Sequence, residues 1–323
     1  MDFDNLAFFT DLMKKDIIEN IAQKTGIDNL VELVAERLSG SDLNSLLMAV
    51  FSETTCNITP ALLLNRYRGN RFVQPAATNM VNLLKMEVQV LELLQKHSFE
   101  PIELPPVAQL GTCSVLGPVD QKKIISAIRN TEVLADATNS IALHIAAMKK
   151  TGAYQEQHFC TVHRHVRAQP LREKWHTPHF KAGCMVSAGR DTGSYRFECS
   201  SLLKHFRALN DLMQQIYGAT NIKFKLLSRS GYKNPDLLSA AIISFFNNNA
   251  GEINVFTAEA PEANNYYKGI QFKMIIELNG LQIEIADGGF VDWTQQLLEN
   301  KKERLLISGF GLELLFKFQN EPA

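Results

Sequence analysis

Two segments in the last third of the chain, residues 270–278 and 281–286, are joined by the dipeptide Asn279-Gly280. Asn-Gly between two strand-like runs is a strong hairpin signal, because a two-residue hairpin turn needs positive φ at both positions. The chain is therefore expected to contain an antiparallel pair of strands here. Further strands are predicted upstream, over residues 158–169, 179–188 and 222–227, the first two as a hairpin around a polar loop.

Helical segments surround these predicted strands. From about residue 79, apolar side chains such as Leu84, Leu91 and Leu94 recur at the spacing of an amphipathic helix. A second such helix runs through residues 202–216, and Gly218 is placed to end it. The combination predicts an α+β fold, in which helices flank an antiparallel sheet of six or more strands.

A small helical N-terminal domain, residues 1–75, is predicted ahead of the sheet. Apolar residues recur at helical spacing between positions 6 and 21. Ser41-Asp42 is placed as the N-cap of a later helix. Pro60 begins a further helix, because proline is tolerated in a first turn. The segment 70–78, which contains Pro75, is predicted to link this domain to the next.

Composition narrows the classes of protein that this chain can represent. Lys and Arg number 33 against 34 Asp and Glu, a net charge of -1. Dedicated nucleic-acid binding is disfavoured, because it is driven by a basic surplus. The five cysteines include no C-x-x-C pair, which favours a reducing compartment. No apolar run approaches the roughly 20 residues of a membrane span. A cytoplasmic protein that does not enter the membrane is expected.

Three short motifs follow one another near the C-terminal end: Tyr266-Tyr267-Lys268-Gly269, Asp287-Gly288-Gly289 and Gly311-Leu312-Glu313. Their order resembles the C-terminal part of the catalytic domain of class II aminoacyl-tRNA synthetases, in the histidyl branch. The resemblance extends over about residues 80–320 and implies a synthetase-like domain at 79–323. The helix, strand and proline within 79–106 resemble motif 1, which implies a homodimer formed through that segment.

The resemblance also implies a nucleotide side of the site. The hairpin over 158–188 resembles motif 2, in which an arginine contacts ATP phosphate and a phenylalanine stacks under adenine. The matching residues are Arg167 and Phe180, and Gln169 stands where the motif carries a carboxylate. Glu313 is the matching residue of motif 3. ATP with Mg²⁺ is the cofactor that this similarity implies.

A ligand side of the site follows from the same resemblance. Residues 130–147 look like the strand, loop and helix that lie near the amino-acid pocket of the family. The Tyr-Tyr and Gly-Gly motifs belong to the histidine-specific part of that pocket. The candidate residues for a small-molecule pocket are therefore Asp136, Thr138, Tyr266, Tyr267, Gly288 and Gly289.

Several residues depart from the family's pattern. Leu314 replaces the motif 3 arginine, and Glu262 replaces the arginine of the histidine-specific segment. Ala182 and Val186 stand where polar residues read the substrate amine and ATP. Of three expected arginines only Arg167 remains, and losing one such group costs about two to three orders of magnitude in rate. Histidine activation is therefore not expected.

A metal site is an alternative that the residues raise without a clear set of ligands. Cys160, His163 and His165 could share a zinc ion, but a histidine-rich solvated face is the favoured interpretation. Asp287 and Asp292 flank a Gly-Gly pair, where a tight turn is favoured over metal binding. No metal site is therefore assigned.

The favoured functional interpretation is a degenerate synthetase paralogue that acts as a regulatory, scaffolding or ligand-sensing protein without tRNA charging. The regulatory subunit of ATP phosphoribosyltransferase is similar in this respect. One alternative is an ATP-dependent ligase for another carboxylate, since Ala182 and Val186 suit a hydrophobic acyl group. Another is a dimerising interaction protein whose N-terminal helical domain binds a protein partner.

Overall fold

The computed structural model describes residues 17–152, 155–168, 177–259 and 264–320. The chain forms two compact units. The first comprises Met1–Asn65 with Ile128–Asn130, and the second comprises Arg66–Ala127 with Thr131–Ala323.

The first unit is helical. Its helices are α1 (17–25), α2 (Leu30–Arg37), α3 (Gly40–Cys56) and α4 (Pro60–Gly69), the last of which continues into the second unit. The N-cap of α3 is Ser39, whose side chain accepts from Asp42 N at 3.1 Å, rather than the expected Ser41-Asp42. Part of the apolar pattern predicted between positions 6 and 21 lies outside the described residues.

None of the described helices is by itself long and apolar enough to cross a membrane. Helices α3 and α4 reach that length and composition only as a pair, and the pair is bent by 112°.

The second unit is built on one large sheet, and the expected α+β fold is confirmed. Eight strands lie in the order β1-β4-β5-β10-β9-β8-β6-β7. All neighbouring pairs are antiparallel except β1–β4 and β6–β7. The eight strands are β1 (Glu100–Pro101), β4 (Gln157–Val166), β5 (His179–Arg190), β6 (Thr220–Ser228), β7 (Val255–Ala258), β8 (Lys268–Leu278), β9 (Leu281–Val291) and β10 (Glu303–Phe310). A separate pair consists of β2 (Val107–Gln109) and β3 (Thr131–Val133).

Helices cover both faces of the sheet. Side chains alternate between the faces of a strand, so neighbours such as Met185 and Val186 enter different apolar clusters. One cluster includes residues of α5, α7, α8 and α10, and the other includes residues of α6. These helices are α5 (Met80–Lys96), α6 (Ala137–Lys150), α7 (Arg196–Gln215), α8 (Pro235–Asn249), α9 (Trp293–Leu297) and α10 (Leu312–Asn320).

The Gly-Gly pair was expected in a tight turn, and that prediction is wrong. Gly288 and Gly289 lie inside β9, which continues to Val291. A Cβ added at Gly288 would lie 2.4 Å from the carbonyl oxygen of Ile307, and one at Gly289 would lie 2.5 Å from that of Ile270. These glycines are therefore needed because neighbouring backbones approach them closely. In the sequence alone, a Gly-Gly pair of this kind has the same appearance as a turn.

Two further elements were not predicted. Helix α8 begins at Pro235, and the edge strand β7 follows it. Proline in the first helical turn is a start signal that the sequence does contain. Strand β7 has four residues, too few for a clear alternating pattern.

Candidate functional site

A cavity of about 290 Å³ lies in the second unit. Its walls come from the N-terminal end of α6, the end of β4 with the start of β5, Tyr266-Tyr267, and strands β9 and β10. The cavity therefore lies where the two predicted hairpins and the loop before α6 meet, which is the region that the motifs indicated.

Asp136 forms one wall of the cavity as the N-cap of α6. Its Oδ1 accepts hydrogen bonds from Thr138 N at 2.9 Å and from Thr138 Oγ1 at 2.7 Å. Its Oδ2 accepts from the Tyr266 hydroxyl at 2.9 Å. Three donors orient this carboxylate.

Asp287 forms a second acidic wall. Its Oδ1 accepts from the Tyr267 hydroxyl at 2.6 Å, and its Oδ2 accepts from Gln271 Nε2 at 2.8 Å. Burial raises the pKa of Asp287, while these two hydrogen bonds oppose the rise. Sequence reasoning assigned Asp287 to a turn, and nothing in the chain near it pointed to Gln271 as a partner.

The two tyrosines are held as neutral donors. Burial raises the pKa of Tyr266 and of Tyr267 well above the usual value, and the charges of Asp136 and Asp287 respectively raise it further. Their rings pack edge to face with centroids 4.9 Å apart. The pair therefore serves as a rigid support on which each phenol orients one carboxylate.

Arg167 supplies the positive charge of the cavity. It lies just past the end of β4, and its Nε donates to the Ala135 carbonyl oxygen at 3.1 Å. Its guanidinium carbon is 5.5 Å from the centre of the Phe180 ring, and both residues line the cavity. Within the described ranges the guanidinium has no carboxylate partner, so it can serve an anionic ligand group.

His165 lies in the wall beside Arg167 and is 2% exposed. Its Nε2 accepts from Ala137 N at 3.2 Å. Burial lowers the pKa of His165 to about 4, so the ring is neutral near pH 7 and its proton lies on Nδ1. Nδ1 is buried and has no hydrogen-bond partner among the described residues.

The other candidate residues lie elsewhere. Glu313 is 2% exposed, and its Oε2 accepts from Lys181 N at 3.0 Å and pairs with Arg164 Nη1 at 3.1 Å. It therefore joins α10 to the β4–β5 hairpin instead of lining the cavity. Gly288 and Gly289 lie in β9 outside the cavity wall, and Gln169 lies outside the described residues.

A convergence of arginines would favour phosphate chemistry. Arg190 instead pairs with Glu303 at 3.0 Å, and the same carboxyl group pairs with Lys149. Arg172 and Glu262 lie outside the described residues. Among the cavity walls, Arg167 is thus the one arginine that the described part of the chain contributes.

No arrangement of metal ligands is found in the described ranges, which contain no suitable group of three or more His, Cys, Asp or Glu residues. His163 and His165 do stack on one face of β4, with centroids 5.9 Å apart. Burial raises the pKa of Cys160 to about 12, which disfavours the thiolate that a zinc ligand requires.

The second unit is an eight-stranded, mostly antiparallel sheet covered by helices, a fold that is found in aminoacyl-tRNA synthetases. Several solved structures share it. The apo histidyl-tRNA synthetase of S. aureus matches with a TM-score of 0.58 and 13% identity, over 78% of this chain and 70% of its own.

Two further structures match equally well. A protein described as an ATP phosphoribosyltransferase regulatory subunit/histidyl-tRNA synthetase from Bacillus halodurans has a TM-score of 0.58 and 14% identity, over 78% of this chain and 83% of its own. A histidine–tRNA ligase subunit from Alicyclobacillus acidocaldarius has a TM-score of 0.57 and 11% identity, over 78% and 98%. No protein-family model and no curated protein matches the sequence.

Proposed function

We propose that this chain is a synthetase-like protein that binds a small amine-bearing ligand in the cavity and acts in regulation or ligand sensing, without charging tRNA. The proposal rests on a difference between the two sides of the site: the ligand side has an oriented carboxylate, whereas the phosphate side has few positive groups. On the ligand side, Asp136 is oriented by Thr138 and Tyr266. On the phosphate side, Arg167 is the single arginine in the described walls.

The electrostatics argue against adenylate formation. Attack of a carboxylate on the α-phosphate of ATP, with release of pyrophosphate, needs several fixed positive groups around the phosphates, each worth about two to three orders of magnitude in rate. Leu314 occupies the motif 3 position, partly buried on α10 beside Gly311. An alkyl side chain there cannot replace a guanidinium.

The ligand class follows from the charge of the remaining groups. An acidic side chain that three hydrogen bonds hold in place attracts a cationic ligand group. A protonated amine is the small cation that donates hydrogen bonds to such a group. The regulatory role is supported by the fold that this chain shares with a protein described as a regulatory subunit.

An ATP-dependent ligase is the second candidate. The position of Arg167 beside Phe180 favours it, because an adenine could stack on that ring while the guanidinium contacts phosphate. ATP with Mg²⁺ would then be the cofactor, with Ala182 in the cavity wall against an apolar acyl group.

Titration calorimetry separates the two candidates. The wild-type chain is titrated with amino acids and small amines, and then with Mg-ATP. We expect amine binding that Asp136→Asn weakens at least tenfold, while the exposed control Asp236→Asn leaves it unchanged. Neither ATP heat up to millimolar concentration nor pyrophosphate exchange is expected. Micromolar ATP binding that Arg167→Ala abolishes would support the ligase instead.

A further inference from the structure

The cavity wall contains two carboxylates, Asp136 and Asp287, and the charge of Lys273 only partly opposes the effect of burial on the pKa of Asp287. Neither Asp136 nor Asp287 forms an ion pair within the described residues. A third acidic residue of the wall, Glu284, is offset, since it pairs with Lys225 at 3.1 Å and with Lys273. Burying unpaired carboxylates is costly unless a cation compensates them. Because Lys273 pairs with Glu284 rather than with Asp287, a cationic ligand group can still pair with Asp136 and with Asp287.

A chain of buried polar residues holds Asp287 in place. Arg229, which is 9% exposed, donates to Gln271 Oε1 from Nε at 3.0 Å and from Nη2 at 2.6 Å. Because these donors occupy the amide oxygen, the amide nitrogen of Gln271 must face the other way, toward Asp287. The Tyr267 hydroxyl orients the second oxygen of that carboxylate.

Each carboxylate keeps the capacity to bind a ligand. An ionised carboxylate has about four acceptor sites. Asp287 uses two of them and Asp136 uses three. Tyr266 orients Asp136, and the adjacent Tyr267 orients Asp287. The two carboxylates are therefore neighbouring subsites of one cavity.

The same cavity offers donors for an anionic group. Arg167 lines it beside Phe180. A ligand that satisfies this wall carries an acceptor as well as cations.

We propose that the ligand is an amino acid with a basic aliphatic side chain, bearing two ammonium groups and one carboxylate. Its charges complement those of the cavity, where Asp136 and Asp287 face the ammonium groups and Arg167 faces the carboxylate. This inference rests on the proposed function and adds a requirement for the second cation. Asp287 acts as the residue that determines specificity, and Gln271 and Arg229 position it.

The test compares ligands that differ by one charge. Wild-type protein is titrated calorimetrically with L-lysine, with L-norleucine, which lacks the side-chain ammonium, and with cadaverine, which lacks the carboxylate. We expect lysine to bind at least tenfold more tightly than either. Asp287→Asn should remove the advantage of lysine over norleucine, and Asp236→Asn should preserve that advantage.

The outcomes separate this inference from the proposed function. Equal affinity of the wild type for lysine and norleucine would overturn the inference and leave amine binding intact. No binding of any amine would overturn both. A lysine advantage that persists in a folded Asp287→Asn variant, as judged by circular dichroism, would overturn the role of Asp287. The wild-type comparison needs no variant to fold.

Discussion

Substitution of Glu313 tests whether this residue, which matches motif 3, stabilises the fold or binds a nucleotide. In Glu313→Leu, the Lys181 N–H loses its acceptor and the Arg164 guanidinium loses its carboxylate. Removing one partner of a buried pair costs about 3–5 kcal/mol. Arg164 keeps a contact with His179 Nδ1 at 3.0 Å and is about one-third exposed, so the lower end, about 3 kcal/mol, is expected.

A matched variant separates charge from hydrogen bonding. Glu313→Gln keeps an acceptor for Lys181 N and loses the charge opposite Arg164, so its expected cost is about 1–2 kcal/mol. Urea unfolding monitored by circular dichroism gives both free energies. The Mg-ATP titration should not differ among the three proteins. An unchanged unfolding midpoint in Glu313→Leu would refute the structural role.

Two other predictions concern pH and assembly. His165 has a pKa of about 4 in the folded protein against 6.5 ordinarily. As pH falls below 6.5 the unfolded state takes up the proton first, so this group lowers the free energy of unfolding by about 2 kcal/mol at pH 5. His165→Gln should lose that much less stability than wild type between pH 7 and pH 5 in urea titrations, and equal losses would contradict the assignment. Helix α5 exposes an apolar stripe, Met80, Val81, Leu84 and Val88, as the proposed homodimer requires. Light scattering after size exclusion should show a dimer that Leu84→Glu converts to monomer, while Gln89→Glu does not; a monomeric wild type would exclude this interface.

Local signals carried much of the fold. The Asn279-Gly280 turn has φ of 52° and 76°, and it joins β8 to β9 as predicted. Such a turn depends on its own two residues, so it can be read without knowing the rest of the chain. The placement of Asp136 as a helix N-cap is equally local, since its donor Thr138 is two residues away.

The contacts of individual polar residues and glycines could not be predicted from such local signals. Glu313 sits in a recognisable motif, yet it pairs with Arg164 on a strand about 150 positions earlier in the chain. Gly288 and Gly289 looked like turn residues, although neighbouring strands require them for close approach. In both cases the deciding contact comes from an element that only the folded sheet brings near.

The sequence alone thus determined the hairpins, the flanking helices and the region where they meet, because spacing and turn chemistry act over a few residues. Only the tertiary structure decided the character of the cavity. Arg229, Gln271 and Asp287 carry no joint signal in the sequence, and they become one hydrogen-bonded chain because β8 lies beside β9 and β6 ends nearby. Side-chain chemistry depends on which strands are neighbours, which is a property of the whole sheet.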